Sequence, residues 1–411
     1  MTAGDPDVLV IGAGPAGALA AALLSQRGHR VLVLERERFP RFSIGESLLA
    51  NTTQLLDEAG MLDAVLAAGF QYKNGASFVW GQQLSEFNFA DKTAPGCSFT
   101  FQVKRADFDH ILAREAARYG AEVRHQVEIV SFIPGDERPT VGARAAGGDI
   151  ELYRPRFVLD ASGFGRVLPR LLGLDKPSAF PERAALFGHV RDGIPAGTFD
   201  RQKIRIGVHP VHRDVWSWLI PFSDGTSSLG VVAAREHHQR HQGSPAERLR
   251  AMVQDEPELE TLVGTASPTR PIGEITGYAA NVSTLSGPGF ALLGNAAEFL
   301  DPVFSSGVTI AFQSAKLATL VLDRQLRGES VDWDRDFGAP LRFGVETFRT
   351  FVNAWYDGSL LDVIFSPDKE PHIHRLICSV LAGYAWDAKN PYAGPNSARR
   401  LRALAALCRS T

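Results

Sequence analysis

Three groups of residues in this chain are of types and spacings that could do chemistry. The first is Gly12-Ala13-Gly14-Pro15-Ala16-Gly17, a small-residue turn directly after the apolar run Asp7-Val8-Leu9-Val10-Ile11. A tight glycine turn between a strand and a helix lets backbone approach a pyrophosphate and aims free N–H groups at it. The second is Trp216-Ser217-Trp218-Leu219-Ile220-Pro221, which holds two of the six tryptophans. On a strand, residues i and i+2 share a face, so both indoles project together, either as core packing or as a wall. The third is Lys73, set between Gly69-Phe70-Gln71-Tyr72 and Asn74-Gly75. A lysine is ordinarily exposed and inert, so by composition alone Lys73 would be dismissed; its flanking glycines and aromatics are what set it apart.

These groups need elements to position them. Ala18 to Arg27 has helical composition with Gly28 as its stop, and Arg30-Val31-Leu32-Val33-Leu34-Glu35 reads as a second strand. Together with the first strand this makes a complete βαβ unit. Glu35 lies 23 residues after Gly12, at the strand end where a carboxylate accepts hydrogen bonds from ribose hydroxyls and disfavours a 2′-phosphate. Two further apolar runs end in small residues, Phe157-Val158-Leu159-Asp160-Ala161-Ser162-Gly163 and Phe290-Ala291-Leu292-Leu293-Gly294-Asn295. Three such strand ends suit an extended cofactor such as FAD. No second Gly-x-Gly-x-x-Gly follows a strand, so no dedicated nicotinamide site is expected, and the electrons for a bound flavin come from a partner.

Composition narrows the class. The 411 residues suffice for two or three structural units, and a net charge of −3 gives no support to nucleic acid as a partner. Cys97, Cys378 and Cys408 are far apart, form no metal spacing, and point to a reducing, cytoplasmic setting. The apolar stretch from Val8 to Leu24 is broken by Gly12, Gly14, Pro15 and Gly17, so it reads as strand, turn and helix rather than as a signal peptide or a membrane span. His237-His238 and His372-Ile373-His374 lie in polar sequence without adjacent carboxylate or cysteine partners. They are expected to be solvated or capping, and no metal is expected. No Gly-x-Ser-x-Gly elbow follows a strand, so Ser-His-Asp catalysis has no support.

At Gly45-Glu46-Ser47-Leu48-Leu49, Trp216-x-Trp218-x-Ile220-Pro221 and Asp301-Pro302-Val303-Phe304-Ser305-Ser306-Gly307, joined to the N-terminal fingerprint, the chain resembles the flavin-dependent halogenases of the FAD monooxygenase superfamily. The segment around Lys73 is similar to that family's active-site lysine segment. Gln102-Val103-Lys104-Arg105-Ala106-Asp107-Phe108-Asp109 is similar to the superfamily segment that approaches the flavin. The resemblance covers about three quarters of the chain, and the Trp-x-Trp-x-Ile-Pro pattern is its most discriminating part.

The resemblance implies that reduced FAD, dioxygen and chloride or bromide yield hypohalous acid, which Lys73 hydrogen-bonds or converts to a haloamine before delivery to an aromatic ring. It implies cofactor contacts at Gly12, Gly14, Ala16, Gly17, Glu35, Arg41, Glu46, Ser47, Arg105, Asn295, Pro302 and Gly307. It places halide at the amides of Ser306 and Gly307, and makes Trp216 and Trp218 a barrier between flavin and substrate. The loop 302–307 precedes a long helical segment, whose N-terminus is a physical reason for an anion to rest there. The partners implied are a separate NADH-dependent flavin reductase and an aromatic small molecule or a carrier protein bearing one. A flavin monooxygenase or a C=C oxidoreductase on the same fold is the alternative.

Three positions depart from the family pattern. Asn295 stands where aspartate is usual, keeping an acceptor oxygen; Ala50 replaces a proline; and Phe304 occupies the place of a glutamate that engages the substrate ring in tryptophan-specific members. Phe304 therefore argues against free tryptophan and for a phenol or pyrrole. The expected architecture is α/β: a Rossmann-like FAD-binding domain of the FAD monooxygenase type, a β-sheet substrate domain, and a helical C-terminal segment. The first is expected to be discontinuous (1–75, 100–175 and 275–330), the second to span 76–100 and 176–275, and the third 331–411. The basic amphipathic stretch Ala398 to Leu407 is expected to pack on the body, with docking to an acidic carrier as the weaker reading.

Overall fold

A computed structural model describes residues 5–178, 180–368 and 370–410. Its organising element is a six-stranded sheet in the order Ser286–Gly287, Phe290–Leu292, Phe157–Asp160, Val8–Ile11, Val31–Glu35 and Glu122–His125. All neighbours are parallel except the Ser286–Gly287 edge. The central strands are buried along their length, which is why they read as continuous Val/Leu/Ile runs rather than alternating ones. Their carboxyl ends meet at the glycine turn, Glu35 and Asn295, where open α/β sheets bind ligands. The first helix spans Pro15–Gln26, three residues earlier than its composition predicts, because Pro15 takes the first helical position, where its missing N–H costs nothing.

The second sheet is built from strands in two stretches of the chain, 75–88 and 184–276. From one edge its order is Ser267–Pro268, Ala184–Arg191, Thr226–Ala233, Trp216–Pro221, Lys203–Val208, Gly75–Trp80 and Gln83–Asn88, and Gly273–Thr276 also pairs with Ala184–Arg191. Trp216 sits between Val208 and Val232, and Trp218 between Ile206 and Gly230. Glycine at 230 is required: a Cβ there would lie 2.3 Å from the Trp218 ring. One face of this sheet joins the main core with the FAD-type sheet. The other is covered by Pro245–Gln254 and Pro257–Val263, through Leu249, Met252 and Leu259 against Leu219 and Leu229.

The long helix Gly307–Leu326 runs against Pro15–Gln26 and carries the chain into Ala339–Tyr356, Ser359–Ile364, Pro371–Leu381 and Ser397–Ser410. Trp355, fully buried, seats this C-terminal layer against Phe78 and Phe304. The helix Ser397–Ser410 packs inward through Leu401, Leu404 and Ala405. Among the described residues, no helix is long and apolar enough to cross a membrane.

Candidate active site

A cavity of about 590 Å³ runs from the glycine turn to the tryptophan pair. At its first end Gly12 has φ +93°, and a Cβ there would meet Ala161 O at 2.8 Å. A Cβ on Gly17 would lie 1.9 Å from Gly12 O, so Gly17 serves helix–strand contact and stays off the cavity wall that Gly12, Gly14 and Ala16 form. Glu35 lines the wall with both oxygens already ordered: Oε2 accepts the Ala13 N–H and Oε1 the Glu37 N–H, each at 2.8 Å. Each carboxylate oxygen keeps a second lone pair for ribose hydroxyls.

Arg41 and Arg105 converge on one carboxylate that the sequence reading missed. Asp109, 0% exposed, accepts from Arg105 at 2.7 and 2.9 Å and from Arg41 at 2.9 Å. Two guanidiniums on one carboxylate leave a net positive charge beside Gly14, suited to a pyrophosphate. The signal for Asp109 was present as an i,i+4 Arg-to-Asp spacing on the helix Arg105–Arg118. Glycine cradle, helix N-terminus, doubled arginine and ribose-seeking carboxylate fit FAD.

At the other end the wall turns apolar, with Ile204, Ile220, Ile275, Trp216 and Trp218. The two indoles lie 5.8 Å apart on one face of their strand. Trp218 donates to Ser228 Oγ at 3.1 Å, and Trp216 donates to Tyr356 Oη at 3.0 Å. Tyr356 in turn donates to Asp301 Oδ2 at 2.8 Å, as does Tyr278 at 3.1 Å, while Asp301 Oδ1 accepts the Val303 N–H at 3.1 Å. Burial raises the pKa of Asp301 and holds both tyrosines well above the usual phenol value, so the tyrosines are the donors here. Asp301 thus ties a wall tryptophan and the C-terminal helix to the start of the 302–307 loop. Tyr278 and Tyr356 carried no motif that could have shown this.

Ser305 holds a left-handed φ of +55°, which swings the loop so that Pro302, Val303, Ser305, Gly307 and Val308 reach the cavity. Ser306 is buried behind the wall as the residue preceding the helix. Phe304 points the other way. Its ring packs edge-on against Phe351 and Trp355, so it fills the joint with the C-terminal helices rather than the pocket expected for it. Asn295 is on the wall, beside Gly307.

Lys73 is also off the wall. The pairing of Gln71–Lys73 with Thr100–Gln102 draws it inward to 1% exposure, where Nζ donates to Ser47 Oγ and Leu48 O, both at 2.7 Å. Burial pushes its pKa down to about 7. Two acceptors match the two N–H bonds of a neutral amine, and the remaining direction lies near the Phe89 ring, 5.2 Å from Nζ. Ser47 and Glu46 are the residues that reach the cavity, and Glu46 is paired with His189 at 2.7 Å, a partner no local motif signalled.

The histidines depart from expectation. His237 and His238 are buried, on the short helix Arg235–His238 that follows the strand Thr226–Ala233. Burial, and then the neighbouring His209, His212 and His241 rings, push His237 down to about 4. Asp255, remote in sequence, brings a carboxylate oxygen within 4.8 Å of ring nitrogens of His209 and His237, so carboxylate and imidazole groups do gather here through the tertiary fold. His374 instead stacks on Phe87, ring centroids 4.3 Å apart.

Residues 5–336 match the FAD-binding-domain family. A 1H-pyrrole-2-carbonyl-[peptidyl-carrier protein] brominase of Pseudoalteromonas luteoviolacea is 32% identical, over 81% of this chain and 80% of its own length. The chain belongs to the flavin-dependent halogenases of that family. The corresponding chlorinase of Pseudomonas fluorescens is 29% identical over 94% of this chain and 90% of its own. Among solved structures, a flavin-dependent brominase superposes with a TM-score of 0.82 at 27% identity, covering 99% of this chain and all of that one. A flavoprotein/dehydrogenase from Cytophaga hutchinsonii reaches a TM-score of 0.95 at 43% identity, covering 98% of this chain and 99% of that one. The halogenase is an FAD-dependent oxidoreductase whose co-substrate is chloride or bromide.

Proposed function

We propose that this halogenase acts on an electron-rich ring, a phenol or pyrrole, free or tethered to a carrier protein, with reduced FAD supplied by a separate NADH-dependent reductase. The observation that carries this reading is one continuous cavity: it joins the FAD cradle at Gly12 and Glu35 to an apolar end walled by Trp216 and Trp218. The carrier-linked pyrroles of the brominase and chlorinase relatives support the substrate class.

When bound and reduced, FAD activates dioxygen so that halide is oxidised to hypohalous acid. The chain's own part begins with the helix Gly307–Leu326, whose first N–H groups lie at the cavity and favour an anion there. Trp216 and Trp218 exclude water and hold the ring on the far side. Ser47 links Lys73 to the cavity. Its oxygen accepts from Nζ, and its own O–H is left to donate toward the oxidant. Lys73 thereby orients that donor, and an amine that turns its lone pair from the Phe89 side toward the cavity would take halogen from hypohalous acid, the O–halogen bond breaking and the hydroxide leaving with an amine proton as water.

The test is mass spectrometry of products from a panel of free and carrier-bound phenols and pyrroles, with a flavin reductase, NADH, FAD and chloride or bromide. A halide-dependent mass shift with the matching isotope pattern establishes the reading. Two observations favour a second reading, a C=C oxidoreductase. Lys73 is sealed from the cavity by Ser47 and Leu48, and the 43% identical solved structure is described as a flavoprotein/dehydrogenase. Substrate reduction independent of halide would establish that alternative, whereas halide-independent oxygen insertion would mark a flavin monooxygenase instead.

A further inference from the structure

Away from the cofactor cavity, three elements of the second sheet bring imidazoles and a carboxylate together. His209 follows the strand Lys203–Val208, His237 sits on the helix after Thr226–Ala233, and Asp255 closes the helix Pro245–Gln254. One ligand atom from each lies within 4.8 Å of the other two. His241 Nε2 lies 3.1 Å from Asp255 Oδ2, and the His212 ring lies 5.1 Å from that of His237.

His237 Nε2 is the independent sign of a ligand. The residue is 8% exposed, yet among the described residues this nitrogen has no hydrogen-bond partner. A buried polar atom without a partner loses its solvation without return, and native folds rarely tolerate that unless something else binds there. None of these side chains takes part in the cofactor or substrate site.

We propose that His209, His237 and Asp255 form a divalent transition-metal site, with zinc as the matching ion. Two imidazoles and a carboxylate are the borderline N/O set that zinc favours, whereas calcium and magnesium take oxygen ligands. His209 Nδ1 accepts the N–H groups of Val211 and His212, both at 3.0 Å. The neutral ring therefore carries its proton on Nε2, and a metal bound at Nε2 would move that proton to Nδ1, which then gives up the two backbone contacts. His241 is placed to complete the shell or to orient Asp255. The bound ion would clip the 209–215 loop, the 235–238 helix and the end of the 245–254 helix together at one end of the sheet's interior strands. It would be structural rather than part of the halogenation chemistry.

The experiment uses the full chain, stripped with chelator, reloaded with zinc alone, and dialysed before elemental analysis. One zinc per chain is expected, with a higher unfolding temperature and unchanged FAD binding. Asp255→Asn, at a half-buried position, and His237→Gln should each weaken zinc binding by about tenfold or more, since even outer-shell losses weaken metal sites by about that much. His374→Gln, outside the cluster, should bind as the natural chain does. Failure to retain zinc, or retention unchanged in both cluster variants, overturns the site.

Discussion

The position of Lys73 sets a pH dependence that can be worked through. Its amine titrates near 7 because burial opposes the charged form. At pH 7 about half of it is neutral, against roughly 0.04% for a lysine with an unperturbed pKa of about 10.4. The fold thus raises the neutral amine by about a thousandfold. Below pH 7 the neutral fraction falls by about tenfold for each pH unit, so halogenation should rise with pH and level off above neutrality. Arginine stays charged throughout this range, so Lys73→Arg should lose about 100-fold or more of product and show no rising limb. Single turnovers with pre-reduced FAD, halide and substrate, quenched from pH 5.5 to 8.5 and read by mass spectrometry, measure this directly.

Stability supplies the control. Between the folded value near 7 and the unfolded value of 10.5, the unfolded chain binds a proton that the folded chain does not. The Lys73 contribution therefore favours folding more as pH rises through that window. Lys73→Met removes the cost of burying the amine, and should unfold no more readily than the natural chain at pH 6 while making no halogenated product. A flat product profile across the range would refute the reasoning, as would a Lys73→Arg variant that keeps more than a tenth of the product.

Three further outcomes follow from the same geometry. Tyr356→Phe frees Trp216 and one lone pair of Asp301, so the 302–307 loop loses its tie; the KM for halide should rise several-fold with little change in FAD affinity, and an unchanged KM would count against Asp301 as the hub. Asp109→Ala leaves Arg41 and Arg105 without their shared carboxylate; by analogy with broken buried pairs it should cost about 3–5 kcal/mol in denaturant unfolding and weaken FAD binding, whereas a loss under about 1 kcal/mol would exclude that role. Gly17→Ala puts a Cβ 1.9 Å from backbone at Gly12, so flavin absorbance should be lost on gel filtration, and full retention would show that the turn can shift.

Local order determined what the sequence by itself could show. The glycine turn, its flanking strands and Glu35 form one contiguous βαβ unit, and the alternation of a strand places Trp216 and Trp218 on one face wherever that strand lies. The resemblance to the halogenases followed from such contiguous motifs. Direction and depth were decided only by the tertiary structure. Lys73 withdraws behind Ser47 because its three-residue strand pairs with Thr100–Gln102, and Phe304 turns away because the C-terminal helices offer Phe351 and Trp355 as a better apolar surface than the cavity does. Asp109 gains its meaning from Arg41, 68 residues earlier, and the histidine cluster from Asp255 on another helix. These partners are remote along the chain, and burial of each charged or apolar group is a free energy that exists only once the elements have packed.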